Sequence, residues 1–260
     1  MYLAEGAEEL CHGLCQALQK RALPRALMSD NGSAMLAAET TEGLARLGIV
    51  HEKTLPYAPF QNGKQEAFWN RIEGRLLPML EGVADLTLAQ LNEATLAWIE
   101  MECNRSIHSE LGEAPLQRYL QHRDVGRPCP SSADLKIAFT AEEGRTQRRS
   151  DGTISLKGIR FEIPSRYNHF QRLSVRAASW VLSQVHLADP KTGAILCRLF
   201  PLDKRKNAQG GRAAKGSPLD QPAAAVSPAP SSMAPLLQKL IQQYATTGLP
   251  PAYLPQALID

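Results

Sequence analysis

The chain has 260 residues, 43% of them hydrophobic, with a mean hydropathy of −0.26, enough for one large or two modest soluble domains. No apolar run approaches the ~18 residues of a membrane span, the first residues lack the basic-then-apolar order of a signal peptide, and five mostly scattered cysteines make no secreted disulfide framework, so a cytoplasmic protein with reduced thiols is expected. Net charge is only +3, but residues 121–215 hold 18 Lys and Arg against 8 Asp and Glu (net +10), and the remainder 11 against 18 (net −7). A module facing nucleic acid joined to a more acidic one accounts for this split, as does a solvated basic surface.

Apolar positions at Leu3, Leu10, Leu14 and Leu18 predict a helix over 3–21, with Pro24 just beyond it. Cys11-His12-x-x-Cys15 lies inside it; without a second Cys or His pair at ligand spacing nearby, packing on a helix face explains these cysteines better than a metal. Residues 25–29 read as a short strand that stops at Asp30-Asn31-Gly32, turn chemistry that puts Asp30 where a strand opens into a loop. A helix over 34–47 and a strand over 48–52 follow. Residues 57–63 are too rich in Pro, Asn and Gly for regular structure and form a loop feeding a helix that begins near Lys64. On that helix Phe68, Trp69, Ile72, Leu76 and Leu77 form the expected buried stripe, and Glu66, Asn70 and Glu73 share the opposite face. Helices over about 88–103 and 115–122 flank a loop containing His108.

From about Asp134 the pattern turns to short β-rich runs at 135–140, 145–149, 153–156, 159–163, 172–175, 181–187 and 194–200. Turn signals join them at Asp151-Gly152, Lys157-Gly158 and Asp189-Pro190-Lys191-Thr192-Gly193, so a small barrel or compact sheet is expected. This is the basic region, and Arg145, Arg148, Arg149, Lys157, Arg160, Arg166, Arg172 and Arg176 are its candidates for phosphate contacts. Alternate residues of a strand face opposite sides, so about half of these can meet one DNA surface. Beyond Leu202, Lys204-Arg205-Lys206 leads into a Gly/Ala/Pro/Ser tract that reads as a flexible linker over 207–232. The apolar segment 233–244 reads as a short amphipathic helix, suited to docking a partner at the end of a tether or to packing back onto the barrel.

Asp30 and Glu66 carry the chemistry of interest, because a strand-end carboxylate and an exposed carboxylate on a helix can converge on one point. Phosphoryl displacement by two Mg²⁺ ions ~3.5–4 Å apart needs hard oxygen ligands, and normally a third carboxylate. Taken singly, a turn-forming Asp and a solvated Glu account for both residues. The surrounding blocks say more: Asp30-Asn31-Gly32, then Tyr57-x-Pro59-x-Gln61-Asn62-Gly63-x-x-Glu66, then Asn104-Arg105-x-x-His108-Ser109-x-Leu111-Gly112. In this order they resemble the catalytic core of bacterial DDE transposases and retroviral-type integrases. Arg145-Thr146, Asp151-Gly152-Thr153-Ile154-Ser155-Leu156-x-Gly158 and Phe161-Glu162-Ile163-Pro164 resemble the β-barrel that follows the core in phage Mu-type transposases. The likeness covers roughly residues 1–205.

This resemblance implies an α/β plus all-β protein, with a partial ribonuclease-H-like core over 1–125 and a basic Mu-type barrel over 130–206, which the linker 207–232 and a tail over 233–260 follow. It implies that Asp30 and Glu66 are the second and third members of an acidic triad that holds Mg²⁺ or Mn²⁺ for DNA strand cleavage and transfer. Gln61, Asn62 and Gly63 would let backbone and amide groups approach DNA beside the metals, and Lys64, Arg71 and Arg75 would meet end or target DNA. His108 would contact a phosphate or steady the site; a local hydrogen-bonding role for His108, and plain solvation for Arg71 and Arg75, stay open. The implied partners are DNA and a transposase oligomer, in a bacterial cytoplasm, and the amphipathic segment within 233–260 adds an accessory protein as an expected partner.

Two departures qualify the likeness. Cys103 stands where an aromatic is common in the family. The first acidic residue of such a core lies on its first strand, yet only the helix over 3–21 precedes Asp30, and Glu5, Glu8 and Glu9 lack strand context. The first three strands and the first triad member are therefore expected to be missing, which leaves a fragment that binds DNA and is inactive alone. A non-catalytic DNA-binding regulator made from transposase parts and another ribonuclease-H-like nuclease are the rival readings.

Overall fold

The computed structural model describes residues 1–55, 59–123, 125–148, 150–202 and 233–247. Arg149, the expected linker 207–232, Tyr57 and Ala58 of the second block, and the tail beyond 247 lie outside the described residues. The fold is mixed helix and sheet, and three apolar clusters organise it. Among the described residues no helix is long and apolar enough to cross a membrane.

The first cluster joins α1 (Ala7–Arg21) to a two-stranded parallel sheet, β1 (Ala26–Ser29) and β2 (Val50–Lys53), with Ala26 opposite Val50. α1 starts later than its leucines predict, after Gly6, whose N–H the Glu9 carboxylate accepts at 3.0 Å. The helix expected over 34–47 is two, α2 (Ser33–Leu36) and α3 (Ala38–Arg46), because Ala37 between them has an extended ψ of 146°. The buried Thr40 hydroxyl donates to the Ala34 carbonyl at 2.7 Å and so satisfies a group that the break frees. α3 closes on Gly48, whose φ of +64° lets the Ile49 N–H reach the Leu44 carbonyl at 2.8 Å. Cys11 is buried among Leu18, Leu44 and Ile49, and burial pushes its thiol to about 11 and that of Cys15 to about 12.

The second cluster is helical. A 3-10 turn at Pro59–Asn62 opens α4 (Gly63–Arg71), which runs through a π-helical turn (Ile72–Leu76) into α5 (Leu77–Leu80). α6 (Leu88–Trp98) likewise continues into a π-helical turn (Ile99–Cys103), and α7 (Pro115–Gln121) follows. Only part of the expected stripe is buried: Ile72 and Leu76 are, whereas Phe68, Trp69 and Leu77 stay exposed at 36%, 46% and 44%. The π turn inserts an offset into the 3.6-residue period, so α4 runs at the edge of the core that Ile72, Leu76, Met79 and Leu80 share with Ala94, Ala97 and Trp98, touching it through Phe68, 6.4 Å from the Trp98 ring.

The run 135–140, expected as a strand, is instead α8 (Ser132–Ala138). Ser131 caps it by accepting the Asp134 N–H at 3.2 Å, and Leu135, Ala138 and Phe139 follow helical spacing into the first cluster. β3 (Ala141–Thr146), β6 (Arg172–Ala178), β7 (Val181–Ala188) and β8 (Ile195–Leu199) form an antiparallel sheet in the order β3-β6-β7-β8, and β4 (Thr153–Leu156) pairs with β5 (Ile159–Glu162) as a hairpin. The hairpin bonds to both edges of the sheet: Glu162 N–H to the Phe200 carbonyl at 3.3 Å, Leu202 N–H to the Arg160 carbonyl at 2.7 Å, and Arg148 N–H to the Thr153 carbonyl at 2.8 Å. Backbone bonds therefore run around all six strands, enclosing the third cluster of Ile154, Leu156, Phe161, Val175, Val185 and Leu187.

The segment 233–244 forms a helix, α9 (Pro235–Ala245), but its apolar face is neither free for a partner nor laid on the β-rich unit. Leu237, Leu240, Ile241 and Tyr244 are buried in the second cluster, and the Ala234 N–H donates to the Met79 carbonyl at 3.2 Å. The helices around Met79 and Trp98 leave an apolar surface that α9 covers.

Candidate functional site

β1 delivers Asp30 to the C-terminal end of a parallel strand pair, the end where open α/β sheets place ligands. The side chain is exposed, and its Oδ1 accepts the Gly32 N–H at 3.0 Å, an Asx turn that orients the carboxylate. Asn31 donates from Nδ2 to the Thr54 carbonyl at 2.9 Å, and the Thr54 N–H donates to the Ser29 carbonyl at 2.9 Å, so the Asp30 turn and the exit of β2 are one bonded unit. The Leu55 N–H then donates to Gln61 Oε1 at 2.8 Å, which ties this unit to the turn that opens α4. Glu66 is exposed in the first turn of α4, where the positive end of a helix favours an acid. Gly63 has open space where a side chain would stand, with nothing within 4 Å among the described residues.

Behind Asp30, the Ser29 hydroxyl donates to the Asp30 carbonyl at 2.9 Å and lies 2.8 Å from His51 Nε2. With that proton committed, His51 donates from Nε2, and its Nδ1 is buried with no partner among the described residues. Burial, with a contribution from Lys53, lowers the His51 pKa and favours the neutral ring. Sequence reading passed over Ser29 and His51, because their meeting depends on the register of β1 on β2 and no local pattern encodes it.

Among the described residues no group of three or more His, Cys, Asp or Glu side chains is gathered so as to hold a metal ion. Two exposed carboxylates, one of them already accepting a backbone N–H, fall short of the donor set that a Mg²⁺ or Mn²⁺ pair needs. The His108 backbone is held locally, its amide N–H donating to the Glu113 carbonyl at 3.0 Å and its carbonyl accepting the Gly112 N–H at 2.8 Å, whereas its ring Nδ1 is buried with no partner among the described residues. Arg75 is ion-paired to Glu102 at 2.8 Å, whereas Lys64 and Arg71 are exposed; Asn62 precedes α4 without a side-chain cap bond.

The basic candidates of the β-rich unit divide by face. Arg160 pairs across from Ser155 and Arg172 from Thr146, on rows that alternate with the core residues Phe161 and Leu173, so both point outward. Arg145 stands opposite Leu173 on the inward row and is ion-paired to Glu143. Lys157 donates to the Ser179 carbonyl at 3.1 Å, Arg166 lies over the Tyr167 ring at 4.8 Å, and Arg148 is exposed. Arg176 is not available to phosphate: it is 6% exposed and donates to the Ile137 carbonyl at 2.7 Å and the Thr140 hydroxyl at 3.3 Å. Its row on β6 faces outward, but the end of α8 covers it. Arg198 and Phe200, which the sequence reading did not single out, share one face two residues apart, with the guanidinium 5.2 Å from the ring centroid. Alternation along β8 was the signal that could have found them.

No protein-family model matches the chain, and no curated protein matches it. Among solved structures, it is similar to a chain of the cryo-EM structure of a simian T-cell lymphotropic virus intasome in complex with PP2A regulatory subunit B56 gamma, at 16% identity and a TM-score of 0.41. The match covers 77% of this chain and 63% of that one, so the chain spans less than two thirds of the length of the solved chain.

Proposed function

We propose that the chain is a DNA-binding protein of the DDE transposase and integrase class, with a ribonuclease-H-like part that carries Asp30 and Glu66 as second and third acidic residues and a Mu-type basic barrel that holds DNA. One observation carries this reading: the bonds from Asn31 to Thr54 and from Leu55 to Gln61 join the Asp30-Asn31-Gly32 block to the block that leads into Glu66. Both carboxylates lie exposed on that joined unit. A Mg²⁺ or Mn²⁺ pair there needs a further acidic ligand, so this polypeptide alone binds DNA without cutting it.

The outward arginines of the β-rich unit neutralise phosphates and release counterions, with an expected slope of about −0.9 in log affinity against log salt per contact. Titrating a labelled duplex with the full chain at several salt concentrations tests the binding, and the same protein with Mg²⁺ and a nicked-product assay tests the chemistry. Salt-dependent binding with no turnover is expected. Salt-independent binding, or no binding of either duplex or single-stranded DNA at low salt, overturns the DNA-binding reading; turnover abolished by Asp30→Ala overturns the claim of inactivity.

A further inference from the structure

Phe200 is 62% exposed on a basic β-rich unit, an unusual place for a large aromatic side chain. The Arg198 guanidinium lies over its ring at 5.2 Å and is fixed by donating to the Ser183 carbonyl at 2.8 Å, and most of the ring stays exposed among the described residues. From Phe200 the outer surface continues through backbone-bonded neighbours. Phe200 bonds to Glu162 on β5, Arg160 on the same row reaches Asp151 at 3.5 Å, and the Gly152 N–H donates to the Arg148 carbonyl at 2.9 Å. Next to Arg148, the Gln147 N–H donates to the Gln171 carbonyl at 3.1 Å, beside exposed Phe170 and Arg172. The surface thus carries an exposed ring at each end, Phe200 and Phe170, with the guanidinium groups of Arg160 and Arg148 and the carboxylates of Glu162 and Asp151 between them.

We infer that this belt binds unpaired nucleotides of single-stranded DNA, with bases stacking on Phe200 and on the aromatic cluster that Phe170 forms with His169 at 4.0 Å and Tyr167 at 6.5 Å, and the backbone running along Arg198, Arg160, Arg148 and Arg172. Resting on the DNA-binding reading above, it names the form of DNA. In a duplex the bases are stacked on one another and offer no free face, so an exposed ring flanked by arginines gains little there; an unpaired base of any sequence can lie on it. The arginines fit a polyanion, which favours nucleic acid over an apolar protein partner.

The test uses the full chain with a labelled poly-dT single strand about 15 nucleotides long and a blunt duplex of about the same length. Phe200→Ala is expected to weaken single-strand binding about tenfold and duplex binding less than twofold, and Phe200→Trp to restore the former. Phe170→Ala should weaken single-strand binding in the same direction. The inference is overturned, with DNA binding intact, if Phe200→Ala weakens both forms equally or neither, or if its only effect is to abolish self-association in sedimentation. If wild-type protein binds neither form at low salt, both readings fall.

Discussion

Arg176 on β6 donates to the Ile137 carbonyl at the end of α8 at 2.7 Å, and so a residue of the β-rich unit caps a helix that belongs to the first cluster. Arg46 of α3 meets the same helix end, donating to the Ala138 carbonyl at 2.8 Å and to the Thr140 carbonyl. Burial, with Arg46 nearby, lowers the Arg176 pKa. The expected outcome for Arg176→Ala is a loss of about 3 kcal/mol in chemical denaturation, because buried carbonyls lose a charged donor. The salt slope of DNA binding should not move. Arg172→Ala, at an exposed site, should do the reverse: stability within about 0.5 kcal/mol and a slope smaller by about 1.

Gly43 lies against Phe139, and a Cβ there would stand 2.3 Å from the ring. Alanine is normally the better helix former by ~1 kcal/mol, so Gly43→Ala would be stabilising on an open face. Here the ring is buried between α3 and α8 and has no room to retreat. The variant should instead lose about 1–3 kcal/mol and melt at lower temperature. Unchanged or raised stability would show that Phe139 repacks freely.

Elements whose own residues specify them were legible in the sequence; features set by distant contacts were not. The turn after β1 followed from Asp30-Asn31-Gly32, and the β hairpin from Asp151-Gly152 and Lys157-Gly158, because turn chemistry is local. The run at 135–140 misled because Leu, Ile and Phe suit a strand as well as a helix; the Ser131 cap decided the matter. The break at Ala37 depends on Thr40, and the exposure of Trp69 on the π turn three residues later, neither of which hydrophobic spacing encodes. For the candidate site, the place of Asp30 at a strand end and the exposure of Glu66 were readable, whereas the bonds that join their two segments pass through Thr54 and Leu55, residues with no chemical signature. Arg176 was misassigned because a strand alternation pattern reports a face and not what covers it.

Two histidines give stability a pH dependence. Burial lowers the pKa of His51, with Lys53 adding to it, and of His12, with Lys136 adding to it. A group whose folded pKa lies below its unfolded value of about 6.5 binds a proton first in the unfolded chain, so stability falls as pH drops below that value. Above it both states are neutral and the contribution is constant. Denaturation curves for wild type and His51→Gln should therefore run parallel above pH ~7 and converge or cross as pH falls from ~6.5 toward 5. A constant difference over that range would count against the neutral, half-buried ring.

α9 should behave as part of the fold, and two of its residues separate packing from polar contact. Leu237 is fully buried in the second cluster, so Leu237→Ala should cost about 2–5 kcal/mol by opening a cavity beside the α6 helix. Tyr244 is buried in the same cluster, but its hydroxyl has no hydrogen-bond partner among the described residues, and burial, then Glu100, raises its pKa. Tyr244→Phe removes only that unsatisfied group and keeps the ring, so it should be neutral or stabilise by about 1 kcal/mol. If α9 were a peptide held ready for a partner, Leu237→Ala would leave the thermal melt of the isolated protein unchanged, and that result would show that the helix spends its time elsewhere.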